Sequence, residues 1–253
     1  MKSEAFWFEQ HHDDVPHGNE WLSPPEAARL DTLRIPKRAA DWRLGRWTAK
    51  RALAQRLSLG DAHSALATIE IIAADSGAPV AFIGGQPSCT TISITHTHGR
   101  AACIVAAGAT MLGCDMEFIE ARSPSFIADY FTPEEQDAVL SAPAADRDLL
   151  TTLIWSAKES AMKAVGEGLR LDTRSVCVTR FGCPSPWSLW APLAVRASGG
   201  RVFEGWWRAD DKFVRTVLSD SDMRAPSPLP LSQTDPKSAE LAPFAPECVE
   251  NES

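Results

Sequence analysis

Long apolar runs are missing from this chain of 253 residues. The longest, from Ala101 to Leu112, is too short and too rich in alanine and glycine to span a bilayer. The first ten residues lack the apolar core of a signal peptide, so a cytoplasmic protein is expected. Paired cysteines are missing too. None of the six (89, 103, 114, 177, 183, 248) stands in a Cys-x-x-Cys spacing, which excludes a disulfide framework or a thiolate metal site by motif. Basic charge is in deficit: 25 Lys and Arg against 33 Asp and Glu give a net charge of −8, against a general nucleic-acid binder. What is present is ordinary for a folded domain, with 44% apolar and 23% charged residues.

The elements expected along the chain change character midway. A strand is expected over 4–8, a helix from Pro24 capped by Ser23, and a longer helix from Pro36 to about Leu57. Short strands follow at 67–73, 90–94, 101–107 and 111–117. Ser123-Pro124 opens a further helix, and Thr132-Pro133-Glu134-Glu135 opens another with a capping-box signature. A third helix is expected from about Arg147 to Val165, ended by Gly166, and strands at 175–180, 187–196, 202–208 and 212–218 complete the pattern. Helices followed by runs of strands indicate an α+β fold with antiparallel sheet. No short-period repeat is evident. The segment 220–253 holds 6 of the 18 prolines and 7 acidic against 2 basic residues, and reads as a disordered acidic tail.

Four features carry potential chemistry. In Gly113-Cys114-Asp115-Met116-Glu117, two carboxylates at i and i+2 of a strand share one face. They repel unless a divalent cation lies between them, although a strand with one solvated face has the same pattern. Residues 153–166 form an amphipathic helix whose arc opposite the apolar face carries Trp155, Lys158, Glu159, Met162 and Lys163, either a site or a surface with a Glu159–Lys163 ion pair. Thr95-His96 follows a strand at a glycine turn, where histidine is commonly a plain loop residue. Residues 29–56 carry nine basic against two acidic residues, a stripe suited to an anionic ligand or to a solvated helix face. His11-His12-Asp13-Asp14 offers metal-ligand types but reads as a solvated loop.

In this order the segments resemble the 4′-phosphopantetheinyl transferase superfamily, in its long single-chain form. The resemblance spans about 35–180 and rests on Pro36-Lys37-Arg38 through Arg46 and Lys50, Ser93-Ile94-Thr95-His96, the Gly-x-Asp-x-Glu segment, Phe131-Thr132-Pro133-Glu134-Glu135, and Trp155-x-x-Lys158-Glu159-x-x-x-Lys163-x-x-Gly166-x-Gly168-Leu169. It implies two similar α+β halves packed as a pseudo-dimer, here 1–110 and 111–219, followed by the tail 220–253. It also implies a monomer with its site between the halves, and no membrane or nucleic-acid partner. The implied activity moves phosphopantetheine from coenzyme A to a serine of an apo acyl or peptidyl carrier protein, with Mg²⁺, releasing adenosine 3′,5′-bisphosphate.

On that pattern Asp115, Glu117 and Glu159 hold the Mg²⁺, with Glu159 also the candidate base. His96, beside Thr95, contacts a phosphate oxygen. Lys158 and Lys163 lie against the pyrophosphate, and Arg46, with Lys37, Arg38 and Lys50, lies toward the 3′-phosphate. Gly77-Ala78-Pro79 stands where many members have Gly-Lys-Pro, leaving Arg100 as a candidate replacement cation. A Mg²⁺-dependent nuclease and an inactive coenzyme A-binding or carrier-docking module are the alternatives.

Overall fold

The computed structural model describes residues 2–108, 110–166, 171–183, 189–210 and 212–229. Its first half begins with strand β1 (Ala5–His11) and the helices α1 (Pro24–Asp31), α2 (Pro36–Arg56) and α3 (His63–Ala67). Strands β2 (Ile69–Ala73), β3 (Pro79–Ile83), β4 (Gln86–Pro87), β5 (Thr90–Thr97) and β6 (Arg100–Ala107) follow. The second half opens with β7 (Leu112–Phe118), then α4 (Pro124–Tyr130), α5 (Pro133–Ser141) and α6 (Arg147–Val165). It closes with β8 (Cys177–Phe181), β9 (Ala191–Arg196), β10 (Val202–Ala209), β11 (Phe213–Ser219) and β12 (Ser227–Pro228).

The fold is α+β. One sheet has the order β12-β1-β6-β5, a second β7-β11-β10-β9-β8, and β2-β3-β4 form a third. Every pairing is antiparallel except β1 with β12. Within the first half Trp47, Leu53, Ile69 and Ile92 belong to one apolar core. Leu153, Ala157, Val195, Phe203 and Leu218 belong to another in the second. A third core lies on the seam, where Trp7, Ile104 and Ala106 meet Cys114, Met116, Phe213 and Val217. An ion network also crosses the seam: buried Arg215 of β11 binds Glu9 of β1 and, at 2.9 Å, the exposed Asp210.

The halves repeat one another at a long period that composition alone conceals. In the first, the Glu26 carboxylate caps α1 by accepting from Ser23 N–H (3.0 Å), ties down β2 by accepting from Ile71 N–H (3.1 Å), and pairs with Lys50 of α2. In the second, Glu135 accepts from Thr132 N–H (2.9 Å) and Val178 N–H (2.8 Å) and pairs with Lys158 of α6 at 2.7 Å. Trp47-Thr48-Ala49-Lys50 and Trp155-Ser156-Ala157-Lys158 are the matching helix segments, 108 residues apart (158 minus 50). A buried glutamate with two backbone donors and one lysine satisfies its oxygens without water, as burial demands.

Several expectations are corrected here. The strand expected over 90–94 continues through Thr97, so Thr95 and His96 stand on β5 itself rather than in a loop. Strand β3 and helix α3 were not anticipated. The expected boundary at 220 moves as well, because residues 220–229 return to the first half. Ser3 bridges Met223, β12 pairs with β1, and Leu229 N–H reaches Trp7 O at 3.3 Å. Met223 and Leu229 are buried there, enough apolar contact to hold a proline-containing strand at a sheet edge. Residues 230–253, Gly168, Leu169 and residues 187–188 of one expected strand lie outside the described residues.

A truncation after Leu229 keeps the returning segment and serves as the reference. One after Ser219 should lose several kcal/mol, at about 1.5–3 kcal/mol for each buried Met or Leu side chain. Equal melting of the two truncations would show that the returning segment contributes nothing.

Candidate active site

Asp115 sits where the two halves touch. The edge strands β5 and β7 are joined by side chains: Ser93 Oγ accepts from Cys114 N–H (3.0 Å), and Thr95 Oγ1 accepts from Met116 N–H (3.3 Å). Thr95 in turn donates to Asp115 Oδ1 at 2.9 Å. On the other side, Gly113 lets β7 approach α6, since a Cβ there would lie 1.8 Å from Ser160 O of α6. Closeness of β7 to α6 brings Lys163 within reach, and it donates to Asp115 Oδ1 (2.8 Å) and Cys114 O (3.1 Å). The i,i+4 pair expected between Glu159 and Lys163 is not among the ion pairs of the described residues; Lys163 binds Asp115 instead.

The other Asp115 oxygen, Oδ2, is buried and has no hydrogen-bond partner among the described residues. Glu117, two residues along the same face, accepts from Trp155 Nε1 at 3.2 Å and meets Arg122 at 3.5 Å. Burial first, and the charge of Asp115 second, push its carboxyl up to about 7. The same two causes raise the Glu159 pKa. For Lys163 burial opposes the charge, but Asp115 and its neighbours outweigh it and hold the ammonium above its usual pKa. Glu117 and Glu159, whose carboxyls are held above their usual range, stand with Asp115 and its orphaned buried oxygen as a hard-oxygen set that fits a divalent cation. They are not drawn to one point. Among the described residues, His11, His12 and Asp13 form the group of three or more potential ligands whose atoms all lie within 4.8 Å.

The raised Glu117 pKa has a definite sign. Between about 4.5 and about 7 the folded protein keeps a proton that the unfolded chain has released, so this group makes stability fall as pH rises through that window. Denaturant unfolding across the window should show the decline, and Glu117→Gln should flatten it; an equal slope in the variant would place its source elsewhere.

A cleft of about 1330 Å³ adjoins this cluster, walled by α2, the β2–β3 hairpin, β5 and the C-terminal end of α6. Arg46, His96 and Lys163 line it, together with the Gly77-Ala78-Pro79 turn. His96 opens into the cleft, and desolvation by the surrounding walls, with Lys163 and Lys37 nearby, lowers its pKa below that of a free imidazole. Arg46 is held over the Trp42 ring at 5.0 Å and stands 3.8 Å from Glu26. The cleft therefore presents two fixed cations and a histidine whose neutral form is favoured.

Other expected contacts fall elsewhere. Lys50 and Lys158 are fully buried in their glutamate pairs, and neither lines the cleft. Both are corrected to members of the repeated folding framework, because an ammonium so enclosed has no access to a phosphate. Met162 is likewise buried, so the arc of α6 opposite its apolar face is largely covered. Lys37 and Arg38 are exposed on the first turns of α2, with Lys37 bound to Asp41 at 3.1 Å. Arg100 stacks over Phe213 at 5.2 Å, outside the cleft lining, and does not replace the missing turn lysine. On the helices a shift of 108 puts Arg51 and Gln55 where the second half has Glu159 and Lys163. The carboxylate set belongs to one half alone.

Residues 111–195 match the family model of the 4′-phosphopantetheinyl transferase superfamily. This is the family expected from the motifs, and the matched stretch contains Asp115, Glu117, Glu159 and Lys163. It supports a transferase of the phosphopantetheinyl type. No curated protein matches the chain. Among the described residues, no helix is long and apolar enough to cross a membrane.

Proposed function

We propose that the protein transfers the 4′-phosphopantetheine group of coenzyme A to a serine of an apo carrier protein, releasing adenosine 3′,5′-bisphosphate. The observation that carries this reading is the orphaned, buried Asp115 Oδ2, whose carboxylate acts electrostatically on Glu117 and Glu159, beside a cleft lined by Arg46, His96 and Lys163. Asp115, Glu117 and Glu159 would hold Mg²⁺, which when bound offsets the charge of the coenzyme A pyrophosphate.

The remaining roles belong to side chains of this chain. Arg46 presents a planar fork suited to the terminal 3′-phosphate, whereas Lys163 offers a point charge to the departing phosphate. His96, favoured as neutral imidazole, donates one N–H to a phosphate oxygen. Glu159, whose raised pKa makes it a better proton acceptor than an ordinary carboxylate, takes the proton of the attacking serine hydroxyl. The cleft exceeds the roughly 300–1,000 Å³ of most small-molecule pockets, in keeping with a long, multiply charged ligand. The carrier protein, acidic around its target serine, docks where this protein is locally basic or apolar.

Intact-mass spectrometry on a panel of apo carriers, with coenzyme A and Mg²⁺, tests the reading. One phosphopantetheine should be added to at least one carrier. Coenzyme A binding without transfer to any carrier would favour the inactive binding module, and metal-dependent plasmid nicking would favour the nuclease.

A further inference from the structure

One tryptophan is placed twice by the repeat, and only the second copy has a polar partner among the described residues. Trp47 packs against Trp21 (5.2 Å between ring centroids) and His63 (6.1 Å), and its buried Nε1 finds no acceptor among the described residues. Trp155, at the same position relative to the buried lysine, packs against Phe126 (5.0 Å) and Tyr130 (5.3 Å). Its Nε1 donates to Glu117 Oε1 at 3.2 Å. The aromatic nest alone therefore suffices to hold this ring in the fold, since Trp47 is held without a hydrogen bond. The second copy has gained one on a carboxylate of the site.

We propose that Trp155 is a positioning residue for Glu117, its indole N–H fixing the carboxylate in the orientation in which it binds a divalent cation. The inference rests on the reading of Glu117 as a cation ligand. Glu117 stands half-buried beside the like charge of Asp115, and its flexible side chain would otherwise swing toward solvent. Arg122, at 3.5 Å from Oε2, is at the limit of hydrogen bonding and a weaker restraint. An indole N–H is a donor only and sits on a ring locked by neighbours, so it can restrain the carboxylate without competing for the cation.

The test is Mn²⁺ binding to the full chain in the presence of coenzyme A, followed by the electron paramagnetic resonance of free Mn²⁺. Trp155→Phe deletes the donor and keeps an aromatic ring in the nest. It should weaken Mn²⁺ binding by about tenfold in a variant that still folds, while Trp47→Phe, which loses the same ring volume, leaves Mn²⁺ binding as in wild type. Wild-type affinity in Trp155→Phe, or equal weakening by Trp47→Phe, overturns the inference and leaves the cation site standing. No Mn²⁺ binding by the wild type, or full binding by Glu117→Gln, overturns the cation-ligand reading and the inference with it. Should Trp155→Phe not fold, the indole ¹H–¹⁵N resonances of the wild type decide. Mg²⁺ with coenzyme A must then shift that of Trp155 and not that of Trp47, and an unmoved Trp155 resonance overturns the inference.

Discussion

Lys158→Met should lower the unfolding free energy by about 3–5 kcal/mol, because it leaves the buried Glu135 carboxylate without its cation. The pair is closed to water, with the lysine fully buried and Glu135 3% exposed. Lys158 also donates to Thr173 O at 2.9 Å and to Val176 O, so the variant strands two carbonyls besides. Against a typical domain stability of roughly 5–15 kcal/mol, this is a large fraction of the total. Lys50→Met should act alike on Glu26 in the first half. Lys163→Met, whose lysine is partly open to the cleft, should leave folding far less affected and fall mainly on catalysis. Denaturant unfolding of the three variants separates these roles. A Lys158→Met protein of wild-type stability that binds coenzyme A weakly would return Lys158 to the substrate.

Gly113→Ala should damage stability and activity together. The added Cβ would lie 1.8 Å from Ser160 O and 2.7 Å from Ala164 N, both backbone atoms of α6 that cannot rotate away. Overpacking commonly costs about 1–3 kcal/mol, and a collision with helix backbone belongs at or above the top of that range. The strand must move off the helix to accommodate it. That motion breaks the Lys163 contacts to Cys114 O and Asp115, and separates α6, which carries Glu159, from β7, which carries Asp115 and Glu117. A displacement of about 1 Å at a reacting centre can lower turnover on the order of 10²-fold. Melting temperature and carrier modification should therefore fall in the same variant. Normal turnover in Gly113→Ala would mean that the strand can separate from the helix without disturbing the site.

The glycine explains a motif that pattern reading could only quote. Its place in Gly-x-Asp-x-Glu follows from the approach of β7 to α6, which no count of neighbours along the chain reveals. The i and i+2 spacing of Asp115 and Glu117 was sufficient to put both on one face of a strand, since side-chain alternation is local. The capping box at Thr132 was equally legible, because a cap is satisfied within four residues. Legibility failed where a partner lies far along the chain. The family resemblance implies phosphate contacts for Lys50 and Lys158, but the glutamates that bury them lie 24 and 23 residues earlier (50 minus 26, 158 minus 135). The link between copies was available in the sequence as Trp-[Ser/Thr]-Ala-Lys at a separation of 108, but a search for short periods passes over it.

By itself the sequence determined that this protein is α+β, that a strand carries two carboxylates on one face, and that a helix carries Glu159 and Lys163 one turn apart. These follow from periodicities of two and 3.6 residues, which need no tertiary partner. Tertiary structure alone decided which charges are free to act. It enclosed Lys50 and Lys158 with glutamates and turned Lys163 from Glu159 to Asp115. It also brought Thr95 across the seam and folded residues 220–229 back onto β1. The physical reason is that exposure and pairing depend on distances through space, while the sequence specifies only distances along the chain.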